Sequence, residues 1–181
     1  MKSAIVSQLV WSLRTDKSQR PGVGKTEAMC HKQEHKLVFS GELAMLNGTF
    51  GPVGFATIST QWPFRGMAQA ISFTAYQSDE FPGRQFACLV KDKQWDQPHG
   101  ILTFQHAFVI GGAPRKVSLP LTQFEAKIRG KYQAGFSLDL ASIWEVSFQI
   151  ARSEQPQELK TVDPLLFSLT LEGVICAESQ H

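Results

Sequence analysis

The sequence predicts an all-β protein, a β-sandwich or jelly roll with little helix. Apolar and polar residues alternate with a period of two in about eight separate segments. Turn-forming residues, among them 14 Gly and 9 Pro, separate these segments. The chain of 181 residues is 43% hydrophobic and includes 13 Phe, so it can fill the core between two packed sheets.

The eight predicted strands follow one another along most of the chain. They are expected at residues 37–45, 53–62, 70–76, 85–91, 102–110, 116–119, 144–150 and 165–171. The clearest alternation lies in the seventh segment, whose core face is predicted to carry Trp144, Val146, Phe148 and Ile150. Other side chains expected between the two sheets are Phe39, Phe73, Phe104, Phe108, Phe167 and Leu169.

A change in charge near residue 36 suggests how the chain is organised. Residues 1–36 hold seven basic and three acidic side chains, whereas the whole chain has a net charge of +2. We interpret residues 1–36 as a basic N-terminal segment and residues 37–181 as the jelly-roll domain. The segment is either a solvated lead-in or a docking arm for an acidic protein or an anionic membrane surface. The candidate docking residues are Arg14, Lys17, Arg20 and Lys25.

Two short motifs resemble functional sites but lack essential parts. The run PGVGKT at 21–26 ends like a phosphate-binding loop, yet Gln19 stands where its first glycine is required. The residues before it are polar, so they do not form the buried strand that precedes such a loop. Cys30, His31 and His35 lack a second cluster of metal ligands nearby. We therefore expect no nucleotide, metal or other cofactor.

The sequence also offers no recognisable catalytic apparatus. It has no G-x-S-x-G motif, and its carboxylates are scattered over outward strand positions rather than paired. We therefore expect a non-enzymatic protein with no catalytic residues.

Three aromatic residues form the candidate ligand or partner surface. Trp62, Tyr76 and Trp95 lie at predicted strand ends or in loops. Exposed aromatic rings at such positions can stack on a sugar or anchor a protein partner. The alternative is that they cap the ends of the core.

Cysteine usage bears on the compartment. Cys30, Cys88 and Cys176 are odd in number and widely separated, which argues against a disulfide framework and favours a reducing environment. We interpret residues 1–13 as structure rather than as a signal peptide. The expected location is the cytoplasm or the matrix or stromal side of an organelle, with the protein soluble or peripherally associated with a membrane.

Several segments, in their order and spacing, resemble one known family. They are LVFSGEL at 37–43, GFATI at 54–58, VSLPL at 117–121, Phe124, RG at 129–130, LDL at 138–140, Ile143 before the strand at 146–150, and PLLFSL at 164–169. This order is similar to that of the NADH:ubiquinone oxidoreductase (complex I) intermediate-associated protein family, and the resemblance covers about residues 37–175. The segments at 22–29 and 84–88 depart from the family pattern.

The resemblance implies a galactose-binding-domain-like jelly roll and a non-enzymatic role. Family members help to assemble respiratory complex I, and relatives in photosynthetic organisms are linked to photosystem biogenesis. The expected function is therefore that of an assembly or biogenesis factor that binds subunits of a membrane-associated complex. Because carbohydrate-binding modules use the same fold, a carbohydrate-binding module is the alternative. We do not expect nucleic acid as a partner.

Overall fold

Two antiparallel β-sheets pack face to face in the computed structural model of the chain, which describes residues 1–19, 25–45 and 54–179. Within these ranges helix is limited to α1 (Asp16–Gln19) and short 3-10 turns. The strands are β1 (Lys2–Ile5), β2 (Ser12–Thr15), β3 (Glu27–Gln33), β4 (Lys36–Leu43), β5 (Phe55–Gln61), β6 (Ala70–Gln77), β7 (Gln85–Lys91), β8 (Asp96–Gln97), β9 (Gly100–Val109), β10 (Arg115–Pro120), β11 (Glu125–Ile128), β12 (Lys131–Tyr132), β13 (Glu145–Ala151) and β14 (Leu165–Glu178).

The strand order defines a six-stranded and an eight-stranded sheet. The six-stranded sheet has the order β10-β6-β14-β4-β3, and β1 also pairs with β14. The eight-stranded sheet has the order β12-β11-β9-β7-β13-β5-β2, and β8 also pairs with β9. All of these pairs are antiparallel, so the predicted all-β sandwich is confirmed.

Each of the eight predicted strands is present, as β4, β5, β6, β7, β9, β10, β13 and β14. The six that sequence reasoning missed are short or face solvent. Strands β8 and β12 have two residues each, and β3 exposes five of its seven residues. An edge strand can keep its backbone pairing without an apolar alternation, because little of it is buried.

The first 36 residues contribute three strands to the sandwich. Strand β1 pairs with β14, β2 pairs with β5, and β3 pairs with β4. The sequence prediction began the jelly roll at residue 37, whereas strand pairing places parts of the preceding segment in both sheets. The difference arises because polar edge strands resemble a solvated segment when only the sequence is read.

Phenylalanine rings from both sheets meet in the core. Phe73 on β6 of the six-stranded sheet lies edge-on to Phe148 on β13 of the eight-stranded sheet, with ring centroids 4.9 Å apart. Phe73 also contacts Phe108, at 5.1 Å. Tilted and edge-on pairs of this kind stabilise a core beyond the area that they bury. The predicted core positions confirmed as buried are Phe39, Phe73, Phe104, Phe108, Val146, Phe148, Ile150, Phe167 and Leu169.

Trp144 is the predicted core residue for which the prediction was wrong. Its side chain is 40% exposed. Strand β13 begins one residue later, at Glu145, so the alternation of that strand does not extend to Trp144. The indole Nε1 instead donates a hydrogen bond to the main-chain carbonyl of Asp92 at 3.0 Å, which holds the ring at the sheet surface.

Candidate binding groove

The outer face of the eight-stranded sheet is shielded from solvent near its centre. Along β7 the core side chains are Phe86, Cys88 and Val90, so Ala87 and Leu89 point away from the core. These two outward residues are nevertheless only 2% and 5% exposed. Neighbouring side chains must therefore extend further from the sheet than Ala87 and Leu89 do and shield them from solvent. This face thus forms a groove rather than a flat surface.

One register row runs along the floor of the groove and crosses six strands. Its members are direct cross-strand neighbours, each on the outer face: Ser12, Ser59, Ser147, Leu89, Gln105 and Glu125. Five steps between adjacent strands give the row a span of about 24 Å. Its central residues are small or uncharged, which leaves room above the sheet for a ligand.

One end of the groove is a cavity of about 710 Å³ whose lining includes two tryptophans, and we call it the tryptophan cavity. Trp62 and Trp144 line it together with apolar residues from the segment after β1. The polar residues that line it are Gln8, Ser12, Ser59, Thr60, Gln61 and Glu145. The cavity thus combines aromatic surfaces with hydroxyl and amide groups, which is typical of sites for small polar ligands.

Backbone hydrogen bonds hold both tryptophans just beyond their strands. The Trp62 N–H donates to the Trp144 carbonyl at 2.8 Å, and the Trp144 N–H donates to the Lys91 carbonyl at 2.9 Å. The Trp62 ring packs edge-on against Phe64 at 5.1 Å. Because both rings are tied to sheet positions, the tryptophan cavity is pre-formed.

Asp92 is the buried side chain that organises the loops behind Trp144. It is 0% exposed, and its Oδ1 accepts a hydrogen bond from the Gln94 N–H at 2.8 Å. Its Oδ2 accepts from the Asp139 N–H, also at 2.8 Å, so the carboxylate links the loop after β7 to the loop before β13. Trp95 lies in the first of these loops and meets Trp144 edge-on, with ring centroids 5.6 Å apart.

A nearly buried ion pair lies beside the tryptophan cavity. Lys91 Nζ is 2.7 Å from Glu145 Oε2, and the two side chains are 11% and 13% exposed. Lys91 Nζ also lies 5.5 Å from the centroid of the Trp144 ring. The ion pair therefore cancels the charge at this end of the groove while bracing the indole.

The other end of the groove is a smaller cavity of about 360 Å³, which we call the amide cavity. Its lining residues are Gln85, Ala87, Gln105, His106, Ala107, Gln123, Glu125, Lys127 and Glu154. Lys127 Nζ lies 3.9 Å from Glu154 Oε1, so opposite charges also face each other here. Three glutamine amides give the cavity both donors and acceptors without net charge.

Gln105 carries an unsatisfied polar atom in the wall of the amide cavity. The residue is 7% exposed, and its Nε2 donates a hydrogen bond to Thr103 Oγ1 at 3.0 Å. Its Oε1 has no hydrogen-bond partner among the residues that the structure describes. A buried acceptor left in this way costs about 1–3 kcal/mol, which a ligand donor would recover.

The three predicted aromatic residues lie in different places. Trp62 lines the tryptophan cavity, and Trp95 supports Trp144 from behind. Tyr76 lies in the other sheet, on β6, where its hydroxyl accepts a hydrogen bond from Lys36 Nζ at 3.2 Å. The structure therefore brings Trp62 and Trp95 to one region through Trp144 and leaves Tyr76 apart from them.

The predicted basic residues lie near one edge of the sandwich, except for Arg20, which falls outside the described residues. Arg14 is exposed on β2, opposite Thr57 of β5, so it lies at the rim of the groove face. Lys17 forms an ion pair with Glu27. Lys25 is exposed, and its backbone N–H donates to Asp16 Oδ2 at 3.2 Å.

Sequence reasoning missed the floor of the groove. The available signal was the chemistry of the outward positions on the central strands, which are small or uncharged. In β5 and β13 these positions are Thr57, Ser59, Ser147 and Gln149. These side chains form hydrogen bonds with one another: Ser59 Oγ and Ser147 Oγ are 2.7 Å apart, and Thr57 Oγ1 donates to Gln149 Oε1 at 3.0 Å.

Among residues 1–19, 25–45 and 54–179, no group of three or more His, Cys, Asp or Glu side chains could hold a metal ion. Burial raises the pKa of the Cys30 thiol to about 11, which keeps it protonated at neutral pH.

Within the same ranges, no helix has the length and apolar character needed to cross a membrane.

Solved structures with a similar fold include carbohydrate-binding modules from Clostridium thermocellum. One is a family 11 module in complex with a β-1,3-1,4-mixed-linked tetrasaccharide, with a TM-score of 0.60, 11% identity, and coverage of 94% of this chain and 91% of that chain. Another is the family 11 module of the cellulosomal cellulase Lic26A-Cel5E, with a TM-score of 0.60, 11% identity, and coverage of 99% and 97%. At this identity the likeness shows the fold, a galactose-binding-like jelly-roll sandwich.

Comparison with curated proteins found no match to the sequence. The family model for complex I intermediate-associated protein 30 matches residues 3–161, which is most of the chain. The match includes β2, β3 and all of β1 except its first residue, so it extends the resemblance noted above toward the N-terminus. The chain therefore belongs to the family of complex I intermediate-associated protein 30.

Proposed function

We propose that this protein is a non-enzymatic assembly or biogenesis factor that binds subunits of a membrane-associated respiratory or photosynthetic complex. The observation that carries the proposal is the family match over residues 3–161. The preformed groove supports a binding role, because it offers aromatic and amide surfaces to a ligand.

We further propose that the protein acts from the cytoplasmic, matrix or stromal side, soluble or peripherally attached. Arg14 and Lys25 are exposed near one edge of the sandwich. Long-range attraction between such charges and an acidic partner or membrane surface would steer the first encounter. The binding of subunits would then depend on surfaces elsewhere on the sandwich.

Co-purification from native membranes tests the assembly role. The tagged full-length chain is expressed at its native level, and the recovered proteins are quantified by mass spectrometry. We expect subunits of one complex to be enriched together, in particles smaller than the mature complex. Recovery of unrelated proteins in proportion to their abundance would contradict the proposal. A variant with charges removed at Arg14, Lys17, Arg20 and Lys25 serves as the comparison.

A second candidate function is carbohydrate binding, and the tryptophan cavity favours it. Indole rings beside hydroxyl and amide groups suit the apolar face and the hydroxyls of a sugar ring. A structural neighbour was solved in complex with a tetrasaccharide, which supports this candidate through the shared fold. Calorimetric titration with a panel of soluble neutral glycans tests it. The absence of binding to every member would exclude this candidate and leave the assembly role untouched.

A further inference from the structure

We propose that the tryptophan cavity and the amide cavity are two ends of one groove for a linear, uncharged, polyhydroxylated chain that crosses the strands. This ligand class is an unbranched neutral oligosaccharide. The inference rests on the second candidate function and assigns its binding surface. It differs from a single-sugar site because it requires both cavities.

The first argument is the continuity of the floor. Ser59 lines the tryptophan cavity, and Gln105 lines the amide cavity. Between them in the same register row lie Ser147 and Leu89, which are 4% and 5% exposed. Neither side chain projects far into solvent between the two cavities, which allows a single ligand to span both.

The second argument is the direction of the groove. The row crosses the strands, and the backbone groups of the inner strands are already used in the sheet ladders. A peptide that adds as a strand needs a free sheet edge, which the centre of this face does not offer. A ligand above this floor must therefore contact side chains rather than backbone groups, as a chain of sugar units can.

The third argument is charge. Lys91 pairs with Glu145 at one end, and Lys127 faces Glu154 at the other. The remaining charged group of the floor row, Glu125, lies at the exposed rim. Because the other charges form pairs and Glu125 adds one negative charge, the groove offers no electrostatic attraction to an anionic polymer, so a neutral ligand fits it better.

The fourth argument is the unsatisfied oxygen of Gln105. Its amide has one hydrogen bond, to Thr103, and its Oε1 has no partner among the described residues. The last torsion of a glutamine side chain is soft, so a small rotation can turn this oxygen toward a ligand hydroxyl in the amide cavity. The tryptophan cavity supplies the aromatic contact, and the amide cavity supplies this acceptor.

The test is isothermal titration of the full-length chain with neutral gluco-oligosaccharides from one to six units. We expect affinity to rise with chain length and to level off once the groove is filled. We expect little change at high salt and no gain from an anionic oligosaccharide of the same length. Equal affinity for the single sugar and the longest chain would overturn the proposal but leave carbohydrate binding intact. No binding by any member, together with no binding by any glycan of the panel described above, would overturn both.

Variants at the two ends make the test specific. Trp62→Ala should weaken binding of every oligosaccharide, whereas Ala107→Trp should weaken only the longer ones, because it fills the amide cavity from an exposed position. Removal of one ligand hydrogen bond by Gln105→Leu should weaken the longest chain about two- to tenfold. Tyr76→Ala, in the other sheet, is the matched aromatic control and should change nothing.

Thermal melts accompany each variant, so that a folding defect is not read as lost binding. Because Ala107 is exposed, its replacement is expected to leave the fold intact. If Ala107→Trp melts like the wild type and still binds the longest oligosaccharide with unchanged affinity, the amide cavity is not part of the binding site. That result would overturn the proposal.

Discussion

Trp144 and Asp92 are joined by a hydrogen bond from the indole Nε1 to the Asp92 main-chain carbonyl, 3.0 Å long. The same Asp92 buries its carboxylate among backbone donors from two loops. One fully buried residue thus fixes both the ring that walls the tryptophan cavity and the loops behind it. The cavity depends on this arrangement as much as on its lining.

Replacing Asp92 by Asn should loosen the tryptophan wall. The Asn amide NH₂ would face at least one N–H donor that now bonds to a carboxylate oxygen, from Gln94 or Asp139. The loss of one such buried hydrogen bond should lower the free energy of unfolding by about 1–3 kcal/mol. Urea unfolding and the fluorescence of Trp144 measure the change. An unaltered unfolding midpoint would show that the loop network does not stabilise the fold.

Phe148 should be one of the most costly core residues to truncate. Its ring is 0% exposed and lies against Phe73, from the opposite sheet, and Trp11. Phe148→Ala should lower the free energy of unfolding by about 3–5 kcal/mol, because it leaves a cavity between the sheets. Met67→Ala, at a side chain 62% exposed, is the control and should stay within about 0.5 kcal/mol of wild type. A loss below about 1 kcal/mol for Phe148→Ala would contradict the core assignment.

Arg152 should stabilise the fold through its hydrogen bonds to backbone carbonyls. It is 0% exposed, and its guanidinium donates to the carbonyls of Leu43, Ala44, Lys160 and Val162. Arg152→Met should cost more than about 3 kcal/mol, because several buried carbonyls lose their donor together. Arg152→Lys should recover only part of this loss, since an ammonium lacks the planar fork. Denaturant titration distinguishes the two variants. If both variants were as stable as the wild type, Arg152 would not stabilise the fold through these hydrogen bonds.

Asp139 should titrate below the ordinary range of an aspartate. Hydrogen bonds from Lys93, Ser142 and the Ala141 N–H lower the pKa of its carboxyl from 3.8, and Lys93 Nζ lies 3.1 Å from Oδ2. A lowered pKa in the folded state means that the unfolded chain takes up the proton first. The contribution to stability is therefore complete above the unfolded pKa and is lost as the pH falls through the folded pKa.

Carbon-13 NMR titration of the Asp139 carboxyl measures this pKa directly. We expect a value below 3.8 in the wild type and a higher one in Lys93→Met. Asp139→Asn should flatten the loss of stability in mild acid. An unchanged titration in Lys93→Met would show that the lysine is not the main cause of the shift.

The four candidate docking residues of the basic N-terminal segment should affect association and not folding. Replacement of Arg14, Lys17, Arg20 and Lys25 by Ser should slow binding to membranes or partner subunits. At high salt the wild type should associate as slowly as the variant, because salt screens the charges. The melting temperature should change little, because exposed charges contribute little to stability. Pull-downs at low and high salt measure this, and equal recovery in every condition would eliminate the docking role.

The sequence predicted the fold better than the site. Alternation identified the longer strands that have a core face, because burial imposes that pattern locally, but it missed the four-residue β11, which places Ala126 and Ile128 in the core. Edge strands such as β3 were not predicted, because backbone pairing holds them in the sheet without an apolar face. Trp144 was misplaced because alternation alone does not show where a strand begins.

The groove could not be predicted for a different reason. Its floor depends on which residues of separate strands become neighbours, as Ser59, Ser147 and Leu89 do. That register is set by the whole sheet and not by any one segment. The sequence did identify Trp62 and Trp95 as candidate surface residues, and only the structure shows that Trp144 links them.

The most direct test of the assembly role is the distribution of complex I, or of its photosynthetic counterpart, on native gels from cells with and without this chain. We predict that loss of the chain depletes the mature complex and leaves smaller subcomplexes, with normal transcript levels for the subunits. Re-expression of the wild type should restore the mature complex, whereas the destabilised Phe148→Ala variant should restore less. A mature complex of unchanged amount, with no accumulated subcomplex, would contradict the account.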